Sequence, residues 1–297
     1  MLERTPRVDA PRPNALSVDV EDWFHDESRP AGPARAEELA RIEPRVARNL
    51  SRLLEIFAAH DVRATLFVLG DATRQTASLV REAVGLGHEI ACHGLRHRPL
   101  AALSRVEFRE EVHRARAMVE DAAGVAVAGF RAPCFIRRSA DLWALDTLAG
   151  EGFRYDSSYL PLRCWSRAAR PLSPDCGPFR LPSGLWEFPL PLTRIATGHH
   201  LPFAAGGFVL RALPFSLTRR YLRRFNQQVG PAIVYTHPWE IDPQSGKLDG
   251  TPAYIRFFNG VGRRRLAVQL DRLLSEFRFA PIAEVYAGEL AQSASAA

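Results

Sequence analysis

The chain has 297 residues, 46% of them hydrophobic and 24% charged, with a net charge of +6. This length suits two average domains or one large (β/α) barrel-like domain, and the composition is that of an ordinary globular protein. A positive charge favours an anionic polymer or a membrane surface as a partner. The arginines are spread along the chain without long Lys/Arg blocks, which argues against nucleic-acid binding.

The sequence predicts a cytoplasmic protein, with contact at a membrane surface left open. The first residues are charged and proline-rich and lack the apolar run of a secretory signal, and no stretch approaches the roughly 18 apolar residues of a membrane span. The 4 cysteines contain no CxxC pair, which fits a reduced compartment. A bond between Cys164 and Cys176 is the alternative for an exported protein.

The predicted elements alternate between strands and helices in the first half of the chain. Ser104 and Glu107 have the spacing of a capping box, and Asp71 is an expected helix cap. The alternation implies parallel strands, and hence an α/β layer or barrel. The expected strands are 15–20, 63–69, 89–93 and 125–133, and the expected helices are 43–60, 71–84, 104–123 and 139–150.

The second half is less regular. Residues 159–191 are rich in proline and aromatic residues and predict a long irregular insertion with strand pairs, including 185–191. Beyond it we expect helices 213–229 and 263–277, strands 232–237 and 281–285, a flexible tail at 1–14 and a disordered tail at 288–297.

A cluster of carboxylates follows the first strand. In SVDVEDWFH, Asp19 and Glu21 alternate along a strand and so point to the same side, and Asp22 comes next. Adjacent carboxylates repel each other unless a proton or a cation lies between them. A solvated turn is the commoner explanation of an isolated DxE pattern, so the metal interpretation depends on the rest of the chain.

Histidines stand at two further strand ends. His93 and His97 form an H-x-x-x-H pair, which a helix or a tight turn would place on one face. Two histidines and one carboxylate make a catalytic zinc site that leaves a position for water. Gly94 excludes the zincin motif, which needs Glu there. His237 follows the strand AIVYT and is a candidate general acid.

Two other groups accompany these side chains. Arg131 and Pro133 lie in GFRAPCF at another strand end, where the arginine either keeps Asp19 ionised or forms a structural salt bridge. Four aromatic residues could form a sugar-stacking wall, although burial in the core is the commoner role of each. They are Tyr155, Trp186, Phe188 and Trp239.

The combined motifs resemble those of the NodB-type polysaccharide deacetylases, carbohydrate esterase family four. The segments DVEDWFH, GFRAPCF, GFRYDSS, WEFPLP and YTHPWEID are similar to those of the subgroup found beside exosortase/PEP-CTERM loci. The resemblance covers about residues 15–287 and implies a deformed (β/α)7 barrel, a NodB homology domain with an irregular insertion and a C-terminal extension.

The resemblance also implies roles for individual residues. Asp19 matches the catalytic base, Arg131 and Pro133 the RxP motif that holds it, and His237 the acid. The metal ligands are His93, His97 and a carboxylate. The usual family motif has adjacent aspartates, whereas this chain has the D-x-[DE] form, so Glu21 is the expected ligand and Asp22 stays open. The backbone N–H of Cys134 is expected at the oxyanion, with Trp186 near the substrate.

The expected activity is hydrolytic removal of N-acetyl groups from amino sugars of an exopolysaccharide. Water activated by Zn²⁺, with Co²⁺ or Ni²⁺ as alternatives, attacks the acetamide while Asp19 acts as base and His237 as acid. The partner is an N-acetylated polysaccharide or oligosaccharide, and oligomeric state stays open. The alternatives are an allantoinase-like amidase acting on a small cyclic amide and a glycan-binding relative without turnover.

Overall fold

The computed structural model describes most of the chain. The described residues are 12–25, 37, 39, 41–137, 139–160, 177–194, 200–201, 206–245 and 251–292. Several expectations fall outside them, namely most of the 1–14 tail, part of the 159–191 insertion with Cys164 and Cys176, and the last residues of the C-terminal tail.

The strands form one large sheet and a small hairpin. The large sheet has the order β10-β1-β2-β3-β4-β5-β7-β6, with β11 also pairing with β1, and all its pairings are parallel except that of β6 with β7. Antiparallel β8 and β9 form the hairpin. The strands are β1 Asn14–Val20, β2 Thr65–Val68, β3 Glu89–Cys92, β4 Gly129–Phe130, β5 Tyr155–Asp156, β6 Phe179–Arg180, β7 Trp186–Glu187, β8 Thr193–Arg194, β9 His200–Leu201, β10 Ile233–Thr236 and β11 Phe279–Ala280.

The helices connect the strands and pack against the sheet. The described α-helices are α1 Val46–Ala59, α2 Thr73–Gly85, α3 Arg105–Ala123, α4 Trp143–Gly150, α5 Gly207–Ala212, α6 Phe215–Gln228, α7 Ala253–Gly260, α8 Arg263–Glu276, α9 Ile282–Val285 and α10 Ala287–Ala291. The alternation confirms the expected α/β class, and the parallel sheet of short strands is a half-barrel consistent with a deformed (β/α) barrel.

Strand β1 lies at the centre of this arrangement. It pairs with β2 and β10 along its length and with β11 at its first residues, Asn14 and Ala15. All seven of its residues are buried, as expected for a parallel strand covered on both faces. Residues far apart in sequence therefore meet at the carboxyl end of β1.

The ends of the sheet are bridged by a side chain. Among the described residues, no strand pairing joins β7 or β6 to β10. The ring of Tyr286, just after α9, stacks on Phe188 beside β7 at 4.3 Å between centroids. Its hydroxyl donates to the carbonyl oxygen of Pro231, before β10, at 3.0 Å. Tyr286 thus contacts both ends of the sheet.

Local signals account for several boundaries. The capping box of α3 is present: Glu107 N–H donates to Ser104 Oγ at 3.2 Å and Ser104 N–H to Glu107 Oε2 at 2.8 Å. Gly124, at φ 74°, ends this helix in the left-handed conformation. Strand β4 is shorter than expected. The ring of Tyr155 packs against the strand's first residue, Gly129, and occupies the space that a Cβ on this residue would need.

Three local predictions are wrong. Asp71 does not cap α2, because residues 70–72 form a 3-10 turn and α2 begins at Thr73 without a side-chain cap. The last strand is Phe279–Ala280, and residues 282–285 are helical because Pro281 starts a new turn there. The tail expected from residue 288 begins within helix α10.

Among the described residues, no helix is both long enough and apolar enough to cross a membrane. The location inferred from the sequence stays a prediction.

Candidate active site

The expected site residues converge at the carboxyl edge of the sheet. Asp19 lies near the end of β1 and Glu21 just after it, and His93, Arg131 and His237 directly follow β3, β4 and β10. Parallel neighbours end on the same side of a sheet, so four strands deliver polar side chains to one place. These side chains are buried, apart from His237, whose side chain is 19% exposed.

Glu21, His93 and His97 form a compact group with the character of a metal site. One ligand-type atom from each residue lies within 4.8 Å of the others, and all three residues are buried. His97 Nε2 is 2.7 Å from Glu21 Oε2. Burial by itself raises the pKa of Glu21, but His97, His237 and His93 outweigh it and hold this pKa well below its usual range. The carboxylate is therefore charged.

His93 is oriented by the backbone. Its Nδ1 lies 2.9 Å from the carbonyl oxygen of Arg131, so Nδ1 carries the proton and donates it, leaving the lone pair on Nε2. Burial lowers the pKa of His93 to about 4, against the opposing effect of Asp19 and Glu21. A neutral imidazole whose other nitrogen binds a carbonyl is the usual form of a metal-ligating histidine.

A turn, and not a helix, brings His97 back to His93. Gly94 has φ 78° and His97 has φ 56°, and a left-handed residue other than glycine costs of order 1 kcal/mol. A Cβ on Gly94 would lie 3.2 Å from Pro133 Cγ, so a glycine there accommodates the neighbouring Pro133 loop. The two imidazole centroids end 5.8 Å apart.

Asp22 turns away from this group and holds the start of helix α1. Its Oδ1 accepts the N–H of Trp23 at 2.9 Å, and its Oδ2 accepts the N–H groups of Arg45 and Val46. All three donors are backbone groups. The geometry therefore favours Glu21 over Asp22 as the metal carboxylate.

Arg131 holds Asp19 from within the core. The arginine is fully buried, and its Nη1 donates to Asp19 Oδ1 at 2.7 Å and to Ser17 Oγ at 2.8 Å. Its Nε and Nη2 bind the carbonyl and hydroxyl oxygens of Ser157, each at 3.0 Å. The guanidinium also lies 4.1 Å from the centroid of Phe67. These contacts fix Asp19 Oδ1 and leave Oδ2 facing His237 at 3.9 Å.

Behind Arg131 lies a pair of buried carboxyl groups that the sequence did not reveal. Burial and the neighbouring Asp156 raise the pKa of Glu187 well above its usual value. Glu187 Oε1 accepts the N–H of Tyr159, whereas its buried Oε2 receives no N–H or hydroxyl donor from the described residues. Glu187 therefore carries a proton and donates it to Asp156, which in turn binds Ser158.

His237 is held by another residue that the sequence analysis missed. Glu240 Oε2 lies 3.1 Å from His237 Nδ1, and Arg211 Nε donates to Glu240 Oε1 at 2.9 Å. A Cβ on Gly207 would overlap this carboxylate, so glycine makes room for it. The capping-box spacing of His237 and Glu240 in HPWE was the available signal.

The surrounding carboxylates make His237 a cation. Burial by itself lowers its pKa, but Glu240, Glu21 and Asp19 outweigh burial and raise it to about 9. His237 Nε2 is 3.8 Å from Glu21 Oε1 and 3.9 Å from Asp19 Oδ2. A protonated imidazole at this position can donate a proton to a group bound between these residues.

The expected aromatic wall is wrong, because its members are buried. Trp186 stacks on Phe188 at 6.2 Å and Tyr155 contacts the same ring at 5.4 Å, all within the main core. Trp239 stacks on His237 at 5.2 Å and is also buried. By contrast, Pro133 and Cys134 are half-buried after β4, beside the Gly94 turn.

Comparison with known families agrees with this geometry. Residues 43–145 match the family model described as Polysaccharide deacetylase, and residues 157–287 match a domain of unknown function, DUF3473. Residues 43–145 of the chain are therefore similar in sequence to polysaccharide deacetylases. His93, His97 and Arg131 fall within the deacetylase match, and His237 falls within the DUF3473 match.

Curated relatives of the deacetylase domain cover part of the chain. The chitooligosaccharide deacetylase of Sinorhizobium fredii is 33% identical over 119 residues, which are 39% of this chain and 53% of that protein. The one from Bradyrhizobium sp. is 31% identical over 97 residues, 33% of this chain and 42% of that protein. The chain thus spans about half the length of these relatives.

Solved structures extend the likeness in fold to nearly the whole chain. A candidate polysaccharide deacetylase from Mycobacterium smegmatis has a TM-score of 0.61 at 22% identity, covering 98% of this chain and 96% of that one. Puue allantoinase has a TM-score of 0.57 at 15% identity, with 93% and 89% coverage. At these identities the likeness concerns the fold alone.

The donor set of this site fits a divalent metal ion. Two imidazoles and one carboxylate, here all buried and close together, are ligand types that catalytic zinc sites use. The backbone-bound Nδ1 of His93 and the ionised Glu21 are in the states that such ligands require.

Proposed function

We propose that this protein is a metal-dependent N-deacetylase that hydrolyses the acetamide groups of amino sugars in an exopolysaccharide. The observation that carries the proposal is that Glu21, His93 and His97 lie beside both Asp19, held by Arg131, and the cationic His237. One group suited to accept a proton and one suited to donate it thus adjoin a metal-type donor set. Hydrolysis of an amide needs both transfers.

In this proposal Glu21, His93 and His97 hold the ion, which is Zn²⁺, with Co²⁺ or Ni²⁺ as alternatives. When bound, the ion supplies Lewis acidity to the carbonyl group and to water. Asp19 takes a proton from the attacking water, and Arg131 fixes its orientation. His237 gives a proton to the departing sugar amine as the C–N bond breaks, which leaves acetate and a free amine.

The loop after β4 completes the proposed site. The backbone N–H of Cys134 is the proposed donor to the oxyanion, and Pro133 positions it by packing against Gly94. Trp186 has no role in substrate binding here, because it is buried in the core. Glu240 is added as the residue that orients His237 and raises its pKa.

The substrate class is supported by two considerations. The most similar curated relatives include chitooligosaccharide deacetylases, and the sequence motifs resemble the exosortase/PEP-CTERM-associated subgroup, which suggests an exopolysaccharide. We also propose that residues 15–287 act as one deacetylase unit. Strand β1 supports this, because it pairs with β2 of the deacetylase match and with β10 and β11 of the DUF3473 match in one sheet.

Release of acetate from N-acetylchitohexaose tests the proposal. The purified protein is stripped with a chelator and reloaded with Zn²⁺, and we expect activity to disappear and return. Asp19→Asn should keep the metal and lose about 10²–10⁴-fold in turnover. Asp146→Asn, an exposed change on α4, is the matched control and should behave like the parent.

Two results would overturn the proposal. One is acetate release by Asp19→Asn at the parent rate. The other is ring opening of a small cyclic amide such as allantoin, with no acetate released from any N-acetylated glycan.

A further inference from the structure

A cavity lined by arginines lies beside the candidate site and takes no part in the proposed reaction. Its volume is about 640 Å³, which is the size of an ordinary ligand pocket. The residues that give it its character are Arg256, Arg263, Arg264, Arg265, Trp23 and Phe257. Its described lining contains no acidic residue.

The cavity adjoins the carboxyl edge of the sheet. Arg263 lies 5.2 Å from the Trp239 ring, which also stacks on the His237 imidazole at 5.2 Å. Trp239 therefore contacts both an arginine of the cavity and the proposed acid. Trp23, two residues after Glu21, lines the cavity and packs with Trp239 in a small aromatic cluster.

The wall of the cavity is built from fixed groups. Arg263 is only 8% exposed, and its Nη1 donates to the carbonyl oxygen of Ser245 at 2.9 Å. Arg211 binds the carbonyl oxygens of Phe258, near the end of α7, and of Val261, just after it. Its Nε and Nη2 also contact the carboxylate of Glu240. One buried guanidinium, that of Arg211, thus binds both this wall of the cavity and Glu240, the residue that orients His237.

Three arginines of the lining have no carboxylate partner among the described residues. Arg256, Arg264 and Arg265 are exposed, and none of them lies within ion-pair distance of a carboxylate among the described residues. Arg264 and Arg265 belong to the first turn of α8, which has no acidic residue to offset them. Guanidinium groups arranged in this way suit carboxylate or phosphate.

The apolar part of the lining suits a carbohydrate. Phe257, which is 60% exposed, flanks the arginines. Aromatic faces beside charged donors can pack on the C–H face of a sugar while the donors bind its anionic substituent. A bare inorganic ion would leave most of this volume unused.

We propose that this cavity binds an anionic sugar of the same glycan chain, one that carries a carboxylate or a phosphate near the N-acetylated sugar being hydrolysed. This inference rests on the proposed function and narrows its substrate to an acidic polysaccharide. Binding at the cavity places the acetamide at the site by holding the chain at a second point. The cavity determines specificity and takes no part in bond cleavage.

The test compares neutral and acidic glycans. The probes are chitohexaose with all its N-acetyl groups, the same oligomer phosphorylated at O6, and a hyaluronan octasaccharide, which alternates N-acetylglucosamine with glucuronate. Titration calorimetry with Zn²⁺-loaded Asp19→Asn measures binding without turnover. We expect at least one acidic probe to bind ten-fold or more tightly than the neutral one, and raised salt to weaken that preference.

A triple variant identifies the cavity as the cause. Arg256→Gln, Arg264→Gln and Arg265→Gln together should abolish the preference and leave acetate release from neutral chitohexaose within two-fold. The control variant is Arg52→Gln, Arg220→Gln and Arg224→Gln, which removes the same charge from exposed positions on α1 and α6. It should keep the preference, and thermal melting checks that both variants fold.

Three outcomes overturn the inference. One is equal binding of neutral and acidic probes, and another is a preference that survives in the cavity variant. The third is cavity-dependent binding to phosphatidylglycerol vesicles without preference for an acidic glycan, which would make this surface a membrane contact. Absence of acetate release from every probe, with the binding preference intact, refutes the proposed function and not the cavity.

Discussion

The charge of His237 depends on the carboxylate of Glu240. That group lies on the Nδ1 side of the ring, opposite the side that faces Asp19 and Glu21. The pKa of His237 is raised to about 9 against the effect of burial, with Glu240 the strongest of the raising influences. The proposed acid is therefore protonated across the neutral range.

Glu240→Gln should move the alkaline limb of the pH profile to lower pH. Loss of the charge lowers the pKa of His237, so the protonated acid disappears earlier as the pH rises. We expect the limb of kcat/KM to shift by one pH unit or more, which initial rates of acetate release between pH 6 and 10 would measure. Glu276→Gln, a surface ion-pair residue, is the control. An unshifted limb would mean that Glu240 does not act through His237.

The buried Glu187 predicts an unusual dependence of stability on pH. Its pKa in the folded protein lies well above its usual value of 4.5. The folded state keeps this proton while the unfolded state releases it above pH 4.5. The contribution of Glu187 is therefore complete below pH 4.5 and is lost as the pH rises through the raised pKa.

Glu187→Gln should gain stability relative to the parent as the pH rises. The glutamine amide imitates the protonated acid and has no proton to lose. We expect the difference in free energy of unfolding to move in favour of the variant by up to about 1.4 kcal/mol per pH unit. Urea unfolding from pH 5 to pH 8 would measure it, with the exposed Glu55→Gln as control. A difference independent of pH would show that Glu187 is ionised in the folded protein.

At the scale of residues, sequence reasoning identified site residues whose type indicates their chemistry. Histidine pairs and a DxE pattern are recognisable, and Asp19, Glu21, His93, His97, Arg131 and His237 do lie together. The partners of Arg131 were not recognisable, because Ser17 looks like an ordinary serine within a strand and Ser157 like one at a strand end. Their role depends on where β1 and β5 lie in space, which no local pattern encodes.

At the scale of elements, two neighbouring carboxylates have separate tasks. Glu21 faces the imidazoles, and Asp22 accepts backbone N–H groups at the start of α1. The strand ends at Val20, just before both of them, so the alternation of side chains no longer applies there. The sequence left the choice of metal carboxylate open because that break depends on a 3-10 turn at residues 23–25.

Asp22→Ala should therefore lose stability and keep the metal, whereas Glu21→Gln should lose the metal and keep most of its stability. Asp22→Ala leaves buried N–H groups without an acceptor and should lower the free energy of unfolding by about 1–3 kcal/mol while still binding one metal ion per chain. Glu21→Gln should lose most of the bound metal and change the stability of the chelated protein less. Elemental analysis and urea unfolding measure both quantities. Loss of metal in Asp22→Ala with metal retained in Glu21→Gln would reverse the assignment.

The regular elements were the most predictable part of the fold. Strand β1 and helices α1, α3 and α8 lie within a few residues of their expected bounds, because periodicity and capping mark them clearly. The segment after α8 was predicted wrongly as a strand over 281–285. Its apolar residues continue past Pro281, but the backbone turns helical there, and hydrophobicity alone does not distinguish the two conformations.

For the whole molecule, Tyr286 connects two distant parts of the sheet. It touches Phe188 beside β7 and Pro231 before β10. The sequence did not indicate this contact, because the three residues are far apart along the chain. Within the described part of the chain, this side chain and no direct strand pairing joins β7 to β10.

Removing the ring of Tyr286 should lower the free energy of unfolding far more than removing its hydroxyl group. Tyr286→Ala should lower the free energy of unfolding by about 3–5 kcal/mol, as for other buried aromatic residues. Tyr286→Phe should cost about 0.5–1.5 kcal/mol, the net value of one hydrogen bond. Urea unfolding of both variants compares them. Equal losses would show that the hydroxyl, and not the stacked ring, makes the bridge.

The central place of β1 also has a consequence for biosynthesis. Ala15 pairs with Ile233, so a strand that leaves the ribosome early must wait for a neighbour made more than two hundred residues later. At 5–20 residues per second the delay is roughly 10–40 s. During that time Asp19 and Glu21 have no His237 opposite them. The candidate site is thus incomplete until translation of this chain is almost finished.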